Sequence, residues 1–199
     1  MTFDSPAIDA GGCIYVAAEG AWQGQVASTV YVVNPDGSLK WKYDIEGGRF
    51  VRASPVIGPG GMAIVATKAN GSTLPAKVLA LTSAGQKMWE FTVEGVHVTP
   101  DDVYSTPAVG ADGTIFFAAE TGYFYALDLN GTLKWKFDMK GSTNWSSAAI
   151  TGDGVLYIGT MIGSAYQGSM MAMKCSSLGY AASPWPRFRH DNGNKGRYY

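Results

Sequence analysis

The chain has 199 residues, 46% of them apolar and only 16% charged, with a formal net charge of −1. That is long enough to bury a sizeable core as one domain, and near-neutrality gives no whole-chain reason to expect a nucleic acid or an anionic membrane as partner. No stretch approaches the roughly 18 consecutive apolar residues of a membrane span, and Met1-Thr2-Phe3-Asp4 lacks the basic and apolar regions of a signal peptide. In chain order, the first elements are short runs of β-branched and aromatic residues separated by Gly-containing turns, the pattern of antiparallel strands joined by tight reversals. Ser5-Pro6-Ala7-Ile8 opens the first group, Cys13 to Glu19 and Thr29 to Asn34 follow, and Leu39-Lys40-Trp41-Lys42-Tyr43 closes it.

The same four-part order returns. Ser54-Pro55-Val56-Ile57, Thr106-Pro107-Ala108-Val109 and Ser147-Ala148-Ala149-Ile150 open three more copies. Their spacing of roughly 40–50 residues is the period of a propeller or a repeat array. Second strands are predicted at Met62 to Lys68, Thr114 to Glu120 and Val155 to Thr160, and third strands at Lys77 to Thr82, Tyr123 to Asp128 and Ser169 to Cys175. Insertions at Gly20 to Ser28, Ala69 to Ala76 and Met161 to Gly168 all fall between second and third strands and account for the unequal spacing. The fold class is therefore all-β: one propeller domain over 1–199, with four-stranded blades at about 5–45, 54–93, 106–139 and 147–188 and a closing segment at 184–199.

Three fourth strands carry a tryptophan nine positions after a residue of the preceding strand: Val32 to Trp41, Ala80 to Trp89 and Ala126 to Trp135. A large ring behind a smaller side chain and a Gly turn reads as docking between strands and blades. Copy four departs from this. Its tryptophan, Trp185, comes late and between Pro184 and Pro186, which argues for an edge or an extended segment laid on the surface rather than a central strand.

Ala126-Leu127-Asp128-Leu129-Asn130-Gly131 with Trp135 resembles the PQQ-like β-propeller repeat, and Trp185-Pro186-Arg187-Phe188-Arg189-His190-Asp191 with Gly196-Arg197 resembles the segment bordering many such propellers. The resemblance spans four copies. It implies a propeller fold, a periplasmic or cell-surface location and one of two roles: a non-catalytic scaffold binding a protein or a glycan, or a quinone-dependent oxidoreductase using PQQ with calcium. The dehydrogenases of this kind need a vicinal cysteine pair and a catalytic acid. Here Cys13 and Cys175 are far apart in sequence, no acid matches, and the reading is a scaffold without a cofactor, a catalytic residue or a metal.

Strand parity places the second-to-third connections and the inter-blade connections on one side, the tight turns on the other. Long loops on a rigid scaffold are where binding concentrates. Aligning the positions two before each opening Ser or Thr gives Phe3, Arg52, Tyr104 and Trp145 around the channel mouth, with Arg49, His97, Asp101, Asp102 and Asn144 in the inter-blade loops and Trp22, Gln23, Tyr166 and Gln167 in the insertions. Three aromatics and an arginine suit stacking on a planar ligand. Four blades leave two apolar flanks exposed, so the expectation is a homodimer that pairs blade 1 of each copy with blade 4 of the other, with Trp185, Phe188 and Arg189 near the junction.

Overall fold

In the computed structural model the residues described are 5–18, 28–46, 51–69, 75–93, 102–141, 146–162 and 167–191. They form four antiparallel sheets in strict meander order. Blade 1 is β1 (Ala7–Ile8), β2 (Ile14–Ala18), β3 (Thr29–Val33) and β4 (Leu39–Asp44). Blade 2 is β5 (Val56–Ile57), β6 (Ala63–Ala66), β7 (Lys77–Leu81) and β8 (Lys87–Thr92). Blade 3 is β9 (Ala108–Val109), β10 (Ile115–Ala118), β11 (Tyr123–Leu127) and β12 (Leu133–Asp138). Blade 4 has three strands, β13 (Ala149–Ile150), β14 (Val155–Ile162) and β15 (Gln167–Lys174).

The innermost strands are shorter than the composition predicts, and side chains of the repeat take over where they stop. Pro6, Pro55 and Pro107 have no N–H for a ladder. Just before them, a hydroxyl of the next blade receives the backbone: Ser5 N–H donates to Ser54 Oγ at 2.8 Å, Ser54 N–H to Thr106 Oγ1 at 3.1 Å, and Thr106 N–H to Ser147 Oγ at 3.0 Å. One repeated residue thus ties each blade to its successor.

Three apolar layers lie between the blades. Ala7, Tyr15, Val30 and Val32 of blade 1 meet Ile57, Ala63, Val65 and Leu79 of blade 2. Ile64, Val78 and Ala80 on the other face of blade 2 meet Ile115, Phe117, Tyr125 and Leu127. Phe116, Phe124 and Ala126 meet Ile150, Leu156 and Ile158 of blade 4. Strand alternation supplies both faces of blades 2 and 3 with apolar side chains. Among the described residues, no such layer joins blade 4 to blade 1.

Each fourth strand carries a bulge at the same place. Val32 faces Trp41 while Val33 faces Leu39, and the pairs Ala80–Trp89 with Leu81–Lys87 and Ala126–Trp135 with Leu127–Leu133 repeat the shift. The extra residue, Lys40, Met88 or Lys134, sits beside the tryptophan it helps to aim. Trp41 lies over Gly85 and donates its indole N–H to the Ser83 carbonyl at 2.9 Å; Trp89 lies over Gly131 and donates to the Leu129 carbonyl at 2.8 Å. Both contacts cross to the next blade. Trp135 instead packs on Phe116 and Phe124 of its own blade, with ring centroids 6.0 and 6.1 Å away.

Three expectations are corrected. Blade 4, expected to be four-stranded, has three strands among the described residues, because the chain after β15 turns inward instead of pairing with it. The insertion at Met161 to Gly168 is strand at both of its ends: β14 and β15 pair from Val155–Lys174 out to Ile162–Gln167, so the hairpin is longer than expected. The segment around Trp185 is not on the surface. After β15 the chain turns inward and crosses the axial edges of the inner strands: the Trp185 carbonyl accepts from Ile57 N–H at 2.7 Å, the Pro186 carbonyl from Val109 N–H at 2.8 Å, and Ala181 N–H donates to the Val109 carbonyl at 2.8 Å. Tyr180 Oη accepts from Ile150 N–H at 2.9 Å. Prolines suit this path because a strand crossing an edge needs only some of its N–H groups. Trp185 is 3% exposed and belongs to the layer between blades 1 and 2, Ala181 to that between blades 2 and 3, and Tyr180 to that between blades 3 and 4. The tail is therefore part of all three layers.

Asp112 fastens the root of that tail. Its carboxylate accepts from Ser176 Oγ at 2.7 Å and from Thr114 N–H and Oγ1 at 3.0 and 2.9 Å, with Lys134 Nζ 3.6 Å away. Burial pushes its pKa up, but the Ser176 and Thr114 hydrogen bonds and Lys134 outweigh it and hold the group at about 2. A carboxyl depressed on folding stabilises above its unfolded pKa and loses that contribution as pH falls through the folded value. Asp112→Asn is accordingly expected to cost about 1–2 kcal/mol at pH 7, and the difference from wild type should close between pH 4 and pH 2 in urea titrations. A gap unchanged at pH 2 would remove the ionic part of this account.

Candidate functional site

The loop side of blades 2 and 3 gathers charged side chains around one tyrosine. Asp102, 4% exposed, accepts from the Ala69 N–H on Oδ1 at 2.9 Å and from the Tyr104 hydroxyl on Oδ2 at 2.7 Å. Lys68 Nζ lies 3.5 Å from the same Oδ2. Asp102 is held by its backbone as well, since its carbonyl accepts from Glu120 N–H at 2.8 Å, and Val103 N–H donates to the Thr67 carbonyl at 3.3 Å. The inter-blade segment 102–104 is thus stitched to the ends of β6 and β10, which makes the base of the site rigid.

Tyr104 presents its ring above this base. The Arg52 guanidinium carbon stands 6.0 Å from the ring centroid and Lys68 Nζ 5.9 Å from it, within reach of the attraction between a cation and an aromatic face. Burial first, then the hydrogen bond and charge of Asp102, push the Tyr104 hydroxyl far above the ordinary tyrosine value. It is a fixed donor, not an acid or a nucleophile at physiological pH.

Of the mouth positions read from sequence, Arg52, Tyr104 and Asp102 come together here. Phe3, Arg49, His97, Asp101, Asn144 and Trp145 lie outside the described residues, as do Trp22, Gln23 and Tyr166. Lys68 and Glu120 were missed by the alignment of inter-blade loops. Their signal was available, because each is a charged residue just beyond a second strand, and strand parity sends those strand ends to the same side as the inter-blade loops.

A second feature lies on the side of the tight turns. A cleft of about 290 Å³ is lined by Pro59, Gly60, Met62, Thr82, Ser83, Met88, Leu129 and Asn130. Its origin is a substitution within the repeat. In blade 1 the bulged Lys40 donates to Cys13 Sγ at 3.3 Å, and in blade 3 the bulged Lys134 donates to Thr114 Oγ1 at 2.7 Å. Blade 2 has Met88 and Met62 at the equivalent positions, so a polar link becomes an apolar gap. The turn side is therefore less featureless than turn lengths alone suggest.

Among the described residues, no group of three or more His, Cys, Asp or Glu side chains converges as a metal site. Both oxygens of Asp102 are engaged within the site, Oδ1 by the Ala69 N–H and Oδ2 by the Tyr104 hydroxyl and Lys68.

A family model described as outer membrane protein assembly factor BamB matches residues 26–173. The chain belongs to this family. Solved structures share the fold, two of them as follows. A protein of unknown function from Bacteroides caccae is 17% identical, with a TM-score of 0.60 over 90% of this chain and 59% of its own. BamB from Moraxella catarrhalis is 16% identical, with a TM-score of 0.51 over 89% of this chain and 60% of its own. This chain spans about 60% of the length of each. No curated protein matches it. In the terms of the BamB family, the four meanders are PQQ-like propeller blades, and the tyrosine cluster sits where an inter-blade loop meets two second-strand ends.

Proposed function

We propose that this member of the BamB family is a non-catalytic binding and assembly scaffold of the cell envelope, holding a protein partner on its loop side through Arg52, Lys68 and Tyr104. The observation that carries this is a tyrosine flanked by two cations on a base locked by Asp102. Tyr and Arg are the residue types that concentrate binding energy in protein interfaces, where rigid placement spares ordering entropy. The family description, an assembly factor, supports a protein partner over a glycan, and the scaffold reading needs no cofactor.

The test compares two faces. Wild type, Arg52→Ala, Tyr104→Ala, Trp145→Ala and the turn-side variants Asp36→Ala and Asp153→Ala are immobilised and challenged with a detergent extract of envelope proteins and with a glycan array. The expected result is a protein retained by wild type and by both turn-side variants, with binding reduced at least about tenfold by Tyr104→Ala or Arg52→Ala, the loss typical of a contact hot spot. Loss in the turn-side variants alone would place the site on the other face. Retention of a glycan instead of a protein would change the partner class.

The same proposal includes a ring of two copies, with blade 1 of each against blade 4 of the other. The support is apolar surface on those flanks, Ile14 at 37% and Tyr31 at 36% on blade 1 and Met170 at 72% on blade 4. Light scattering is expected to give about 42 kDa, twice the 21.1 kDa chain. A stable particle of single-chain mass at micromolar concentration rejects the pair. Trp185 takes no part in such a junction, because it is buried within its own chain.

A further inference from the structure

Blade 4 ends one strand early, and the other three blades define what is missing. Tyr15 faces Val32, Ile64 faces Ala80 and Phe116 faces Ala126, and each of those partners then faces a fourth-strand tryptophan. In blade 4 the same register sets Tyr157 opposite Ala172. Ala172 is exposed, and nothing among the described residues pairs with its outer side. The residue nine positions further on, where a tryptophan would stand, is Ala181, which has left for the axis.

The backbone of β15 is oriented to accept a neighbour. Cys175 N–H donates inward to the Gly154 carbonyl at 2.9 Å. Antiparallel ladders alternate, so Met173 and Met171 also point their backbone groups toward β14, while Lys174, Ala172 and Met170 point theirs away. The same alternation in blade 3 aims Phe124 and Ala126 at β12. The edge runs for eight residues with three methionines, no proline and one charge at its end. Natural edges that must stay unpaired are kept short or are interrupted by proline, bulges or inward charges; this one has none of these devices.

We propose that the outer edge of β15 is a docking site for an extended segment of a partner protein, which adds to blade 4 as an antiparallel fourth strand. Main-chain hydrogen bonds supply the affinity, and alternate side chains supply the selection. The chemistry of the segment follows from the three filled edges. It carries an aromatic residue opposite Ala172, as Trp41, Trp89 and Trp135 stand opposite their partners. A second aromatic two positions on lies opposite Met170, where Tyr43, Phe91 and Phe137 stand in the other blades. Met170, 72% exposed, offers a thioether that packs adaptably on an aromatic ring. This inference does not depend on the tyrosine cluster, which belongs to blades 2 and 3.

The probe is a fluorescein-labelled peptide with the sequence of residues 130–139, Asn-Gly-Thr-Leu-Lys-Trp-Lys-Phe-Asp-Met, titrated with the full chain and followed by anisotropy. The expected result is saturable one-to-one binding, weakened at least about tenfold when both aromatics of the peptide are alanine, as for loss of paired anchor residues. Ala172→Pro should abolish binding. It removes an outward N–H and leaves the β14–β15 ladder intact, so its melting temperature should stay near wild type. Ala172→Arg, which fills the place of the aromatic without touching the backbone, should weaken binding in parallel. No binding at millimolar peptide overturns the proposal, as does undiminished binding by both variants. Growth in mass beyond the two-copy particle that Ala172→Pro abolishes would assign the edge to a further copy of this chain and overturn it equally. Tyr104→Ala should leave peptide binding unchanged, which separates failure here from failure of the mouth.

Discussion

Trp185→Ala is expected to lower the unfolding free energy by about 3–5 kcal/mol, the range for deleting a buried large aromatic. Trp185 is 3% exposed among Ala7, Tyr15, Ile57 and Leu79, and its own carbonyl closes on Ile57. The indole therefore belongs to the layer between blades 1 and 2, and its removal leaves a cavity there. His190 stands beside it, with ring centroids 5.1 Å apart, and would lose that contact. Leu178→Ala, also on the tail but 68% exposed, serves as the reference and should fall within about 0.5 kcal/mol of wild type. Urea denaturation of both variants decides the point. Equal, mild effects would mean that the tail is an appendage and not part of the core.

The second large effect is expected at a glycine. Gly131 has φ +80°, and a Cβ there would lie 2.5 Å from the Trp89 ring. Alanine must bear the left-handed backbone cost of about 1–2 kcal/mol and displace an indole that is also hydrogen-bonded to Leu129, an overpacking cost of about 1–3 kcal/mol. The sum is about 2–5 kcal/mol. Gly37 provides an internal control. It occupies the corresponding turn of blade 1 with φ +86°, yet nothing lies within 4 Å of its Cβ position, so Gly37→Ala should carry the backbone cost alone. Thermal denaturation that ranked the two equally would show that the tryptophan does not lean on the next blade. Gly85, whose Cβ would come 2.7 Å from Trp41, should behave like Gly131.

Those glycines illustrate what repetition makes legible. Asn34 to Ser38, Thr82 to Gln86 and Asp128 to Thr132 all read as tight turns because each places a glycine just before a polar residue. Sequence alone does not say that two of the three glycines also serve as seats for a neighbour's indole. That follows only once adjacent blades are stacked, and it fails at Gly37 because no blade lies on that side among the described residues. The same applies at the bulges. Lys40, Met88 and Lys134 look like a polar face with one exception, and only the bulge turns the exception into a cleft.

The mouth was partly legible for the same reason. Arg52 and Tyr104 stand at equivalent places before an opening Ser or Thr, and strand parity sends both to one side. Asp102 was placed nearby, but its burial and its grip on the Ala69 N–H and the Tyr104 hydroxyl arise from how segment 102–104 crosses the end of β6. Lys68 belongs to a different element, and local spacing carries no information about contacts between elements.

By itself the sequence determined the four-fold repeat, the meander order of strands, the all-β propeller class and the family, because these depend on local alternation, turn chemistry and recurrence in register. Only the tertiary structure decided the path of the tail, the three-stranded fourth blade with its open edge, and the charges that meet at Tyr104. The physical reason is that each of these turns on long-range pairing. A segment such as Tyr180 to Pro186, with small residues and prolines around one tryptophan, has no local preference strong enough to specify its place. It goes where unpaired inner-strand N–H groups at Ile57, Val109 and Ile150 and three apolar layers can all be satisfied at once.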